Sequence, residues 1–543
     1  MTDSRLRRPA VHTETLVALA AAFMLLAGNG PFWRAALASR PWAEPGTWVF
    51  AGAVFVALAC FYFALTAAVV TRRTVKPFLT LLLVATAAAS YYMERYAVYL
   101  DRTMMANVVA TNSKEASELL GFGPAASVFL WGLVPSALLW WPEVKTRTWR
   151  RAAAVRSACI AAALGLGVCS LLLVFAQAAS LMRNHREVRW LITPANALVA
   201  LAQNAADSGA ASGPKQPIAT DAKRVAPGRA RPLLFVLVVG ETARAQEFSL
   251  NGYPRDTNPE LARRDVIDFA HATSCGTSTE VSVPCMFSQY GRAHYDESAI
   301  ASHQSVLDVL ARVGVKVLWR DNQSGCKGVC DGVPVEQLDR ENVPGLCVDG
   351  QCFDEILLRG MDGIVAGANG DMLVVMHELG SHGPAYYKRY PPAFKRFVPT
   401  CDSDDLRQCD SAAIVNAYDN TILYTDHVLA QLVDLLEAQK THDTAMLYVS
   451  DHGESLGENG LYLHGIPYAI APDAQTHVPF VLWLSQNLRA DWGVDEKCMR
   501  SRAQLPASHD NLFHSLLGIF SVQTGAYDPA LDLFAGCRTK RSN

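Results

Sequence analysis

Apolar positions divide the chain into two parts of different character. The first part holds five long apolar stretches, separated by short polar loops. Each has about 20 residues, enough for a helix to cross a hydrocarbon core about 30 Å thick. The predicted spans are residues 14–33, 48–70, 77–99, 121–141 and 155–177. Five in succession favour membrane spans over buried helices of a soluble core, and we assign residues 1–180 to a transmembrane domain.

Basic residues in the short loops predict the orientation of these spans. They cluster at the N-terminus, after the second span and after the fourth span. Cytoplasmic loops carry an excess of Lys and Arg, so the N-terminus and both loops are expected in the cytoplasm. Because five is an odd number, the chain after residue 180 is expected on the opposite side of the membrane.

The pattern changes after residue 180. Residues 187–202 are amphipathic and predict a helix along the membrane surface, and residues 203–230 are rich in Ala, Gly, Ser and Pro, which predicts an irregular connector. We assign residues 181–231 to this interfacial helix and linker.

Short apolar runs then alternate with helical patterns. The predicted strands are residues 233–239, 315–319, 372–376, 445–450 and 478–484, and the clearest helices are Ser305–Val313 and Ala412–Gln439. Continuous apolar strands alternating with helices indicate a sheet covered on both faces. Residues 232–543 are therefore predicted to form one large α/β domain.

Net charge argues against one class of function. The chain has 543 residues, of which 48 are Lys or Arg and 51 are Asp or Glu, for a formal charge of −3. Proteins that bind nucleic acids usually carry a strong basic excess. We therefore expect no nucleic-acid partner.

The cysteines fit a C-terminal half that lies outside the cytoplasm. There are 13 cysteines, and ten of them lie in that half, mostly in close pairs. Even numbers at close spacing in an oxidising compartment indicate disulfides. The expected pairs are Cys275–Cys285, Cys326–Cys330, Cys347–Cys352, Cys401–Cys409 and the more distant Cys498–Cys537. A zinc cluster of the second and third pairs is the alternative.

Polar clusters follow three of the predicted strands directly. Glu241 follows the first, His377 and Glu378 follow the third, and Asp451 and His452 follow the fourth. Ligand sites of α/β sheets usually form at the carboxyl ends of strands. Oxygen and imidazole ligands without thiolates suit zinc or manganese, and two such metals can support displacement at phosphorus or sulfur.

Four longer motifs identify a family. They are VVGETARA at 238–245, TSCGTSTEVSVPCMFS at 273–288, HELGSHGPAYYKRYP at 377–391 and SDHGESLGENGLYLHG at 450–465. In this order, after five spans and a linker, they resemble the phosphoethanolamine transferases of the alkaline phosphatase and sulfatase superfamily, which include the mobile colistin-resistance enzymes. The resemblance implies a five-helix transmembrane domain followed by an α/β hydrolase-like domain with a central sheet flanked by helices.

The motifs carry over residue roles as well. The family's tightly held zinc ion has ligands that match Glu241, Thr279, Asp451 and His452. Thr279 also matches the nucleophile that accepts phosphoethanolamine. Residues that bind the substrate phosphate or a second zinc ion match His382 and His464, and the donor site matches Lys327 with Ser324 beside it. Gln323 replaces the asparagine of some relatives, and His377 and Glu454 have no assigned role.

One candidate group lies between the third and fourth spans. Asn107, Thr111 and Glu115 are spaced by four residues, which places them on one helix face. An ordinary solvated helix shows the same pattern, but the family uses matching polar residues at its lipid-binding site. The resemblance therefore adds these three residues to the substrate-binding candidates.

The resemblance, together with the predicted topology, implies a monomeric, zinc-dependent enzyme of the bacterial inner membrane with a periplasmic catalytic domain. It would transfer phosphoethanolamine from phosphatidylethanolamine to lipid A phosphates through a phosphothreonine. The added amine would offset negative charge and weaken polymyxin binding. Alternatives are transfer to core heptose or Kdo, a phosphoglycerol transferase or sulfatase-like hydrolase, and a membrane-anchored binding or sensing protein.

Overall fold

The computed structural model describes residues 8–38, 40–111, 113–210, 213–225 and 229–538. The chain divides into two compact units. The first consists of Met1–Met105 with Leu120–Asn204, and the second of Ala106–Leu119 with Ala205–Asn543. The division after Asn204 falls inside the predicted linker, and the domain boundaries drawn from the sequence stay a prediction.

Apolar helices build the first unit. Among the described residues, those long and apolar enough to cross a membrane are Pro45–Val69, Val75–Tyr96, Phe122–Trp140 and Trp149–Leu173. A further candidate is a pair of helices, Thr13–Ala27 and Gly30–Leu37, bent by 61° at the break between them. Pro31 lies in the first turn of the second helix of this pair, where a missing N–H costs nothing. The predicted five spans agree with four or five such helices.

The segment between the units is more ordered than its composition predicted. A helix at Ala195–Ala210 covers the start of the expected irregular connector. The prediction of an irregular connector was therefore wrong for residues 203–210. Alanine has the highest helix propensity, so an alanine-rich run can form a helix as readily as a loop. Further along, Ile218 is buried and Lys223–Arg224 pairs with Val522–Gln523. Residues 213–225 therefore form part of the second unit.

A mixed sheet of seven strands forms the centre of the second unit. The strands are β1 Leu233–Gly240, β2 Val266–Asp268, β3 Lys316–Asp321, β4 Val335–Gln337, β5 Met372–His377, β6 Asp443–Ser450 and β7 Phe480–Leu484. Their order is β2-β7-β6-β1-β5-β3-β4. Strands β6, β1, β5, β3 and β4 run parallel, whereas β7 is antiparallel to both of its neighbours.

All five strands predicted from apolar runs are confirmed. The sequence missed β2 and β4, which have three residues each and lie at the two edges of the sheet. An edge strand of that length is too short for a periodic pattern to show.

Helices cover both faces of the sheet. Alternate residues of β1 pack on one side with Asp510–Ile519 and on the other with Ser411–Glu437. Both helices predicted from the sequence are confirmed, at Val306–Arg312 and Ser411–Glu437. The other helices of this unit are Ser113–Leu119, Thr279–Met286, Glu297–Ser302, Met361–Ala366, Asp473–Thr476, Gln486–Trp492 and Glu496–Arg502. With both faces covered, the strand ends remain available for a site.

Five disulfides join the predicted cysteine pairs. They are Cys275–Cys285, Cys326–Cys330, Cys347–Cys352, Cys401–Cys409 and Cys498–Cys537. The alternative of a zinc cluster is therefore wrong, because its four thiolates are consumed in two of these bonds.

The helix face predicted for Asn107, Thr111 and Glu115 is interrupted. One helix ends at Ala110 and the next begins at Ser113, so a single continuous face was wrong. Thr, Asn and Ser in succession compete for backbone hydrogen bonds and favour helix ends. The Thr111 hydroxyl donates to the Asn107 carbonyl at 2.7 Å. The Glu115 side chain lies outside the described part of the structure.

Candidate active site

The ends of β1 and β6 bring three potential metal ligands together. The two strands are neighbours, so Glu241 after β1 lies beside Asp451 and His452 after β6. All three side chains are buried, and one ligand atom from each lies within 4.8 Å of the others. His452 Nε2 is 3.4 Å from Glu241 Oε1 and 3.3 Å from Asp451 Oδ2.

Thr279 reaches the same cluster from a helix N-terminus. It is the first residue of Thr279–Met286. Its Oγ1 lies 3.0 Å from Glu241 Oε2 and 3.4 Å from His452 Nε2. The N-terminal end of a helix favours negative charge, so this position would stabilise an oxyanion at Oγ1. The structure therefore brings together all four residues matched to the zinc site.

The net charge of the three buried side chains, Glu241, Asp451 and His452, favours binding of a cation. Burial acts to raise the pKa of Glu241, but the hydrogen bond and charge of His452 outweigh it, so that pKa lies well below its usual range. Burial and the nearby Glu241 carboxylate raise the pKa of Asp451. Burial acts to lower the pKa of His452, but the Asp451 and Glu241 carboxylates raise it to about 10. Two buried carboxylates around one imidazole thus leave negative charge for a metal to balance.

The donor atoms fit zinc. Asp451 Oδ2 is buried and has no hydrogen-bond partner among the described residues. His452 Nδ1 lies 2.9 Å from the Gly453 carbonyl, so Nδ1 donates there and Nε2 is the ring atom that faces the carboxylates. Carboxylate oxygens and an imidazole nitrogen are ligands that zinc uses in proteins. Glu241, Thr279, Asp451 and His452 are the residues that would hold it.

Two neighbouring side chains hold the Glu241 carboxylate. The Thr242 hydroxyl donates to Oε1 at 2.5 Å, and Gln323 Nε2 donates to Oε2 at 3.0 Å. Thr242 has a φ of 59°, and its N–H donates to Asp451 Oδ1 at 3.1 Å. The sequence left the contact of Gln323 open, and the structure places its amide on Glu241. The sequence analysis missed Thr242, because a single threonine beside a glutamate does not indicate a site.

Two further histidines lie beside His452. The His464 ring centroid is 4.4 Å from that of His452 and 5.8 Å from that of His382. His464 Nδ1 is 2.9 Å from Glu454 Oε2, and Glu454 Oε1 accepts a hydrogen bond from the Tyr386 hydroxyl at 2.7 Å. Burial lowers the pKa of His382 to about 3, so its imidazole is neutral. Both rings are thus suited to contact phosphate oxygens or a second cation.

Lys327 lies in the loop closed by the Cys326–Cys330 disulfide. Its Nζ is 2.9 Å from Ser324 Oγ and 3.4 Å from Glu280 Oε2. Glu280 directly follows Thr279, so the lysine is linked to the helix that carries the candidate nucleophile. The sequence did not single out Glu280, because an acidic residue in the first turn of a helix is common without any site.

His377 is held by a different partner. Its Nδ1 lies 3.1 Å from Asp321 Oδ2, which also accepts a hydrogen bond from Trp319 Nε1 at 2.7 Å. Burial acts to lower the pKa of His377, but the Asp321 carboxylate outweighs it and the pKa is raised. The neighbouring Glu378 is fully buried, and burial raises its pKa well above the usual range. His377 therefore pairs with Asp321 at the end of β3.

The fold and this cluster define a class of protein. A mixed sheet flanked by helices, with a threonine meeting acidic and histidine ligands at the strand ends, has the architecture of the alkaline phosphatase and sulfatase superfamily. Residues 234–522 match the sulfatase family. Residues 58–208 match the family described as phosphoethanolamine transferase EptA/EptB. The chain belongs to the EptA/EptB family of phosphoethanolamine transferases.

Curated relatives agree over nearly the whole chain. It is 39% identical to phosphoethanolamine transferase EptA of Escherichia coli, with 98% of each chain covered. It is also 39% identical to phosphatidylethanolamine transferase Mcr-1 of Escherichia coli, over 83% of this chain and 84% of that protein. The solved structure of the integral membrane lipooligosaccharide phosphoethanolamine transferase A from Neisseria meningitidis matches with a TM-score of 0.93 at 35% identity, covering 98% of this chain and 99% of that one.

Proposed function

We propose that this transferase moves phosphoethanolamine from phosphatidylethanolamine to a phosphate of lipid A by way of a phosphothreonine at Thr279. The observation that carries the proposal is the position of Thr279 Oγ1, 3.0 Å from Glu241 Oε2 and 3.4 Å from His452 Nε2. A zinc ion bound by these residues and Asp451 would lower the pKa of the hydroxyl and offset charge at phosphorus.

Two displacements complete the transfer. In the first, Thr279 Oγ1 attacks the donor phosphorus, and the bond from phosphorus to the diacylglycerol oxygen breaks. The threonine loses one proton and diacylglycerol leaves with one, so the step is balanced. In the second, a hydroxyl oxygen of the acceptor phosphate attacks the same phosphorus, the bond to Thr279 Oγ1 breaks, and the proton lost by the acceptor restores the threonine hydroxyl. Diacylglycerol departs before the acceptor enters, which gives ping-pong kinetics.

Cationic and neutral donors around the threonine would bind the transferred group. Lys327 brings a full positive charge, and His382 and His464 bring ring N–H groups for the nonbridging oxygens. Glu454 keeps His464 oriented through its Nδ1. These contacts matter most as charge redistributes in the transition state.

The membrane setting supports a lipid donor and a lipid acceptor. The orientation predicted from loop charge places the N-terminus in the cytoplasm and the catalytic unit in the periplasm. The Neisseria meningitidis relative is by its name a lipooligosaccharide phosphoethanolamine transferase, which supports an acceptor of that type. An amine added to lipid A phosphate reduces the negative surface charge and would lower sensitivity to polymyxins.

Mass spectrometry of lipid A tests the acceptor. Cells that produce the protein should contain lipid A heavier by one phosphoethanolamine, located on a phosphate. Cells producing Thr279→Ala, at equal protein levels, should contain only unmodified lipid A and should stay sensitive to polymyxin. A phosphoethanolamine found on core heptose or Kdo, with lipid A unchanged, would contradict the assigned acceptor.

A further inference from the structure

A buried ion pair joins the segment 106–119 to the motif that carries His382. Glu118, in the helix Ser113–Leu119, accepts from the Nη2 group of Arg389. The two side chains are 8% and 1% exposed, and both residues belong to the second unit. Pairs this deeply buried are costly to break, because the remaining charge has no counter-ion.

The same guanidinium also holds the loop after β5. Arg389 Nε donates to the carbonyl oxygen of His382 at 2.7 Å, and its Nη1 donates to Gln351 Oε1 at 2.7 Å. A guanidinium presents its donors in a fixed planar fork, so the three contacts constrain one another. Loss of Arg389 would therefore release both segment 106–119 and the backbone of His382, whereas loss of Glu118 would release only the segment.

Segment 106–119 holds the candidate donor contacts Asn107 and Thr111. Asn107 lies in the helix Arg102–Ala110. Thr111 bonds back to the Asn107 carbonyl at the end of that helix. The ion pair at Glu118 thus lies at one end of segment 106–119, and the candidate donor contacts Asn107 and Thr111 lie toward the other.

We infer that Glu118 and Arg389 are positioning residues that hold segment 106–119 against the His382 loop, so that the lipid part of the donor is aligned with Thr279. This inference rests on the proposed function for its substrate. Glu118 acts on the part of the donor that stays with diacylglycerol. Arg389 acts on that part and, through the His382 carbonyl, on the transferred phosphate.

Assays with two donor substrates distinguish a positioning role of Glu118 and Arg389 from a general effect on stability. The full-length enzyme is assayed with phosphatidylethanolamine in vesicles and with glycerophosphoethanolamine, which has the same head group without acyl chains. Glu118→Gln should raise the KM for phosphatidylethanolamine about tenfold, equivalent to about 1.4 kcal/mol of lost binding, with kcat and the chain-free donor little changed. Arg389→Lys should impair both donors.

A control variant makes the same Glu-to-Gln change in a solvent-exposed ion pair. Glu341 pairs with Arg359 in the same unit, with side chains 37% and 55% exposed. Glu341→Gln should leave both donors unaffected. If Glu118→Gln lowered activity on both donors equally, or changed neither, the positioning role would be overturned.

Amide hydrogen exchange tests the pair without relying on activity. Glu118→Gln should speed exchange in residues 106–119, while exchange in the loop around His382, which Arg389 still holds, and in β1 and β6 stays as in the wild type. Unchanged exchange in residues 106–119 would overturn the inference. Wild-type enzyme that used neither donor would instead contradict the proposed function, and the exchange result would still decide whether the pair holds the segment.

Discussion

At the scale of single residues, the site depends on side chains that hold the candidate metal and phosphate ligands in place. Glu241 is fixed by Thr242 and Gln323, and His464 is fixed by Glu454, which is itself bonded to Tyr386. Such supporting partners set the tautomer and the direction of the groups they hold. Their loss should therefore lower activity without removing the groups that do the chemistry.

Glu454→Gln tests this at His464. The amide can still fill the space, but it removes the carboxylate that holds Nδ1, so transfer should fall about 10- to 100-fold, the range for such partners. Zinc content and the thermal unfolding midpoint should stay close to the wild type. Tyr386→Phe, which removes only the hydroxyl bonded to Glu454, should cost about 1 kcal/mol of stability and little activity. Full activity of Glu454→Gln would show that His464 needs no such partner.

At the scale of elements, two of the five disulfides close segments beside the cluster, and Cys498–Cys537 is the longest-range of the other three. Cys275–Cys285, around Thr279, joins residues ten positions apart, Cys326–Cys330, around Lys327, joins residues four apart, and Cys498–Cys537 joins residues 39 apart. A cross-link restricts the unfolded chain more as the loop it closes becomes longer. Short loops at the site therefore contribute chiefly to local order, and the long one to global stability.

Two variants that each lack one disulfide should differ in opposite ways, one losing mainly activity and the other mainly stability. Removing Cys275 and Cys285 together should lower transfer strongly, because the loop before Thr279 is released. Removing Cys498 and Cys537 should leave the kinetics unchanged but cost about 1 kcal/mol more in unfolding free energy, from the longer loop. Denaturant unfolding and steady-state transfer, measured on the same preparations, check both. Equal kinetics for the two double variants would contradict a local role for the first bond.

At the scale of the whole molecule, the sequence predicted what depends on local pattern. Strands β1 and β6 follow from continuous apolar runs, and Glu241 and Asp451 then meet because parallel neighbours end at one sheet edge. The family motif, rather than the chemistry of the loop, singled out Thr279 among three adjacent hydroxyl residues.

Contacts between distant segments could not be predicted in this way. The amide of Gln323 on Glu241 and the pair of Glu118 with Arg389 join residues 82 and 271 positions apart. Neither follows from periodicity or composition, which report only on neighbours within an element. Segment 106–119 belongs to the second unit because of such long-range contacts, so this assignment could not be predicted from the sequence either.

The central claim is that Thr279 carries the phosphoethanolamine during transfer. Full-length enzyme incubated with phosphatidylethanolamine and no acceptor should gain the mass of one phosphoethanolamine, and peptide mapping should locate it on Thr279. Addition of lipid A should discharge the adduct, and Thr279→Ala should never form it. An adduct on Thr277 or Ser278, or lipid A modified at the wild-type rate by Thr279→Ala, would contradict the account.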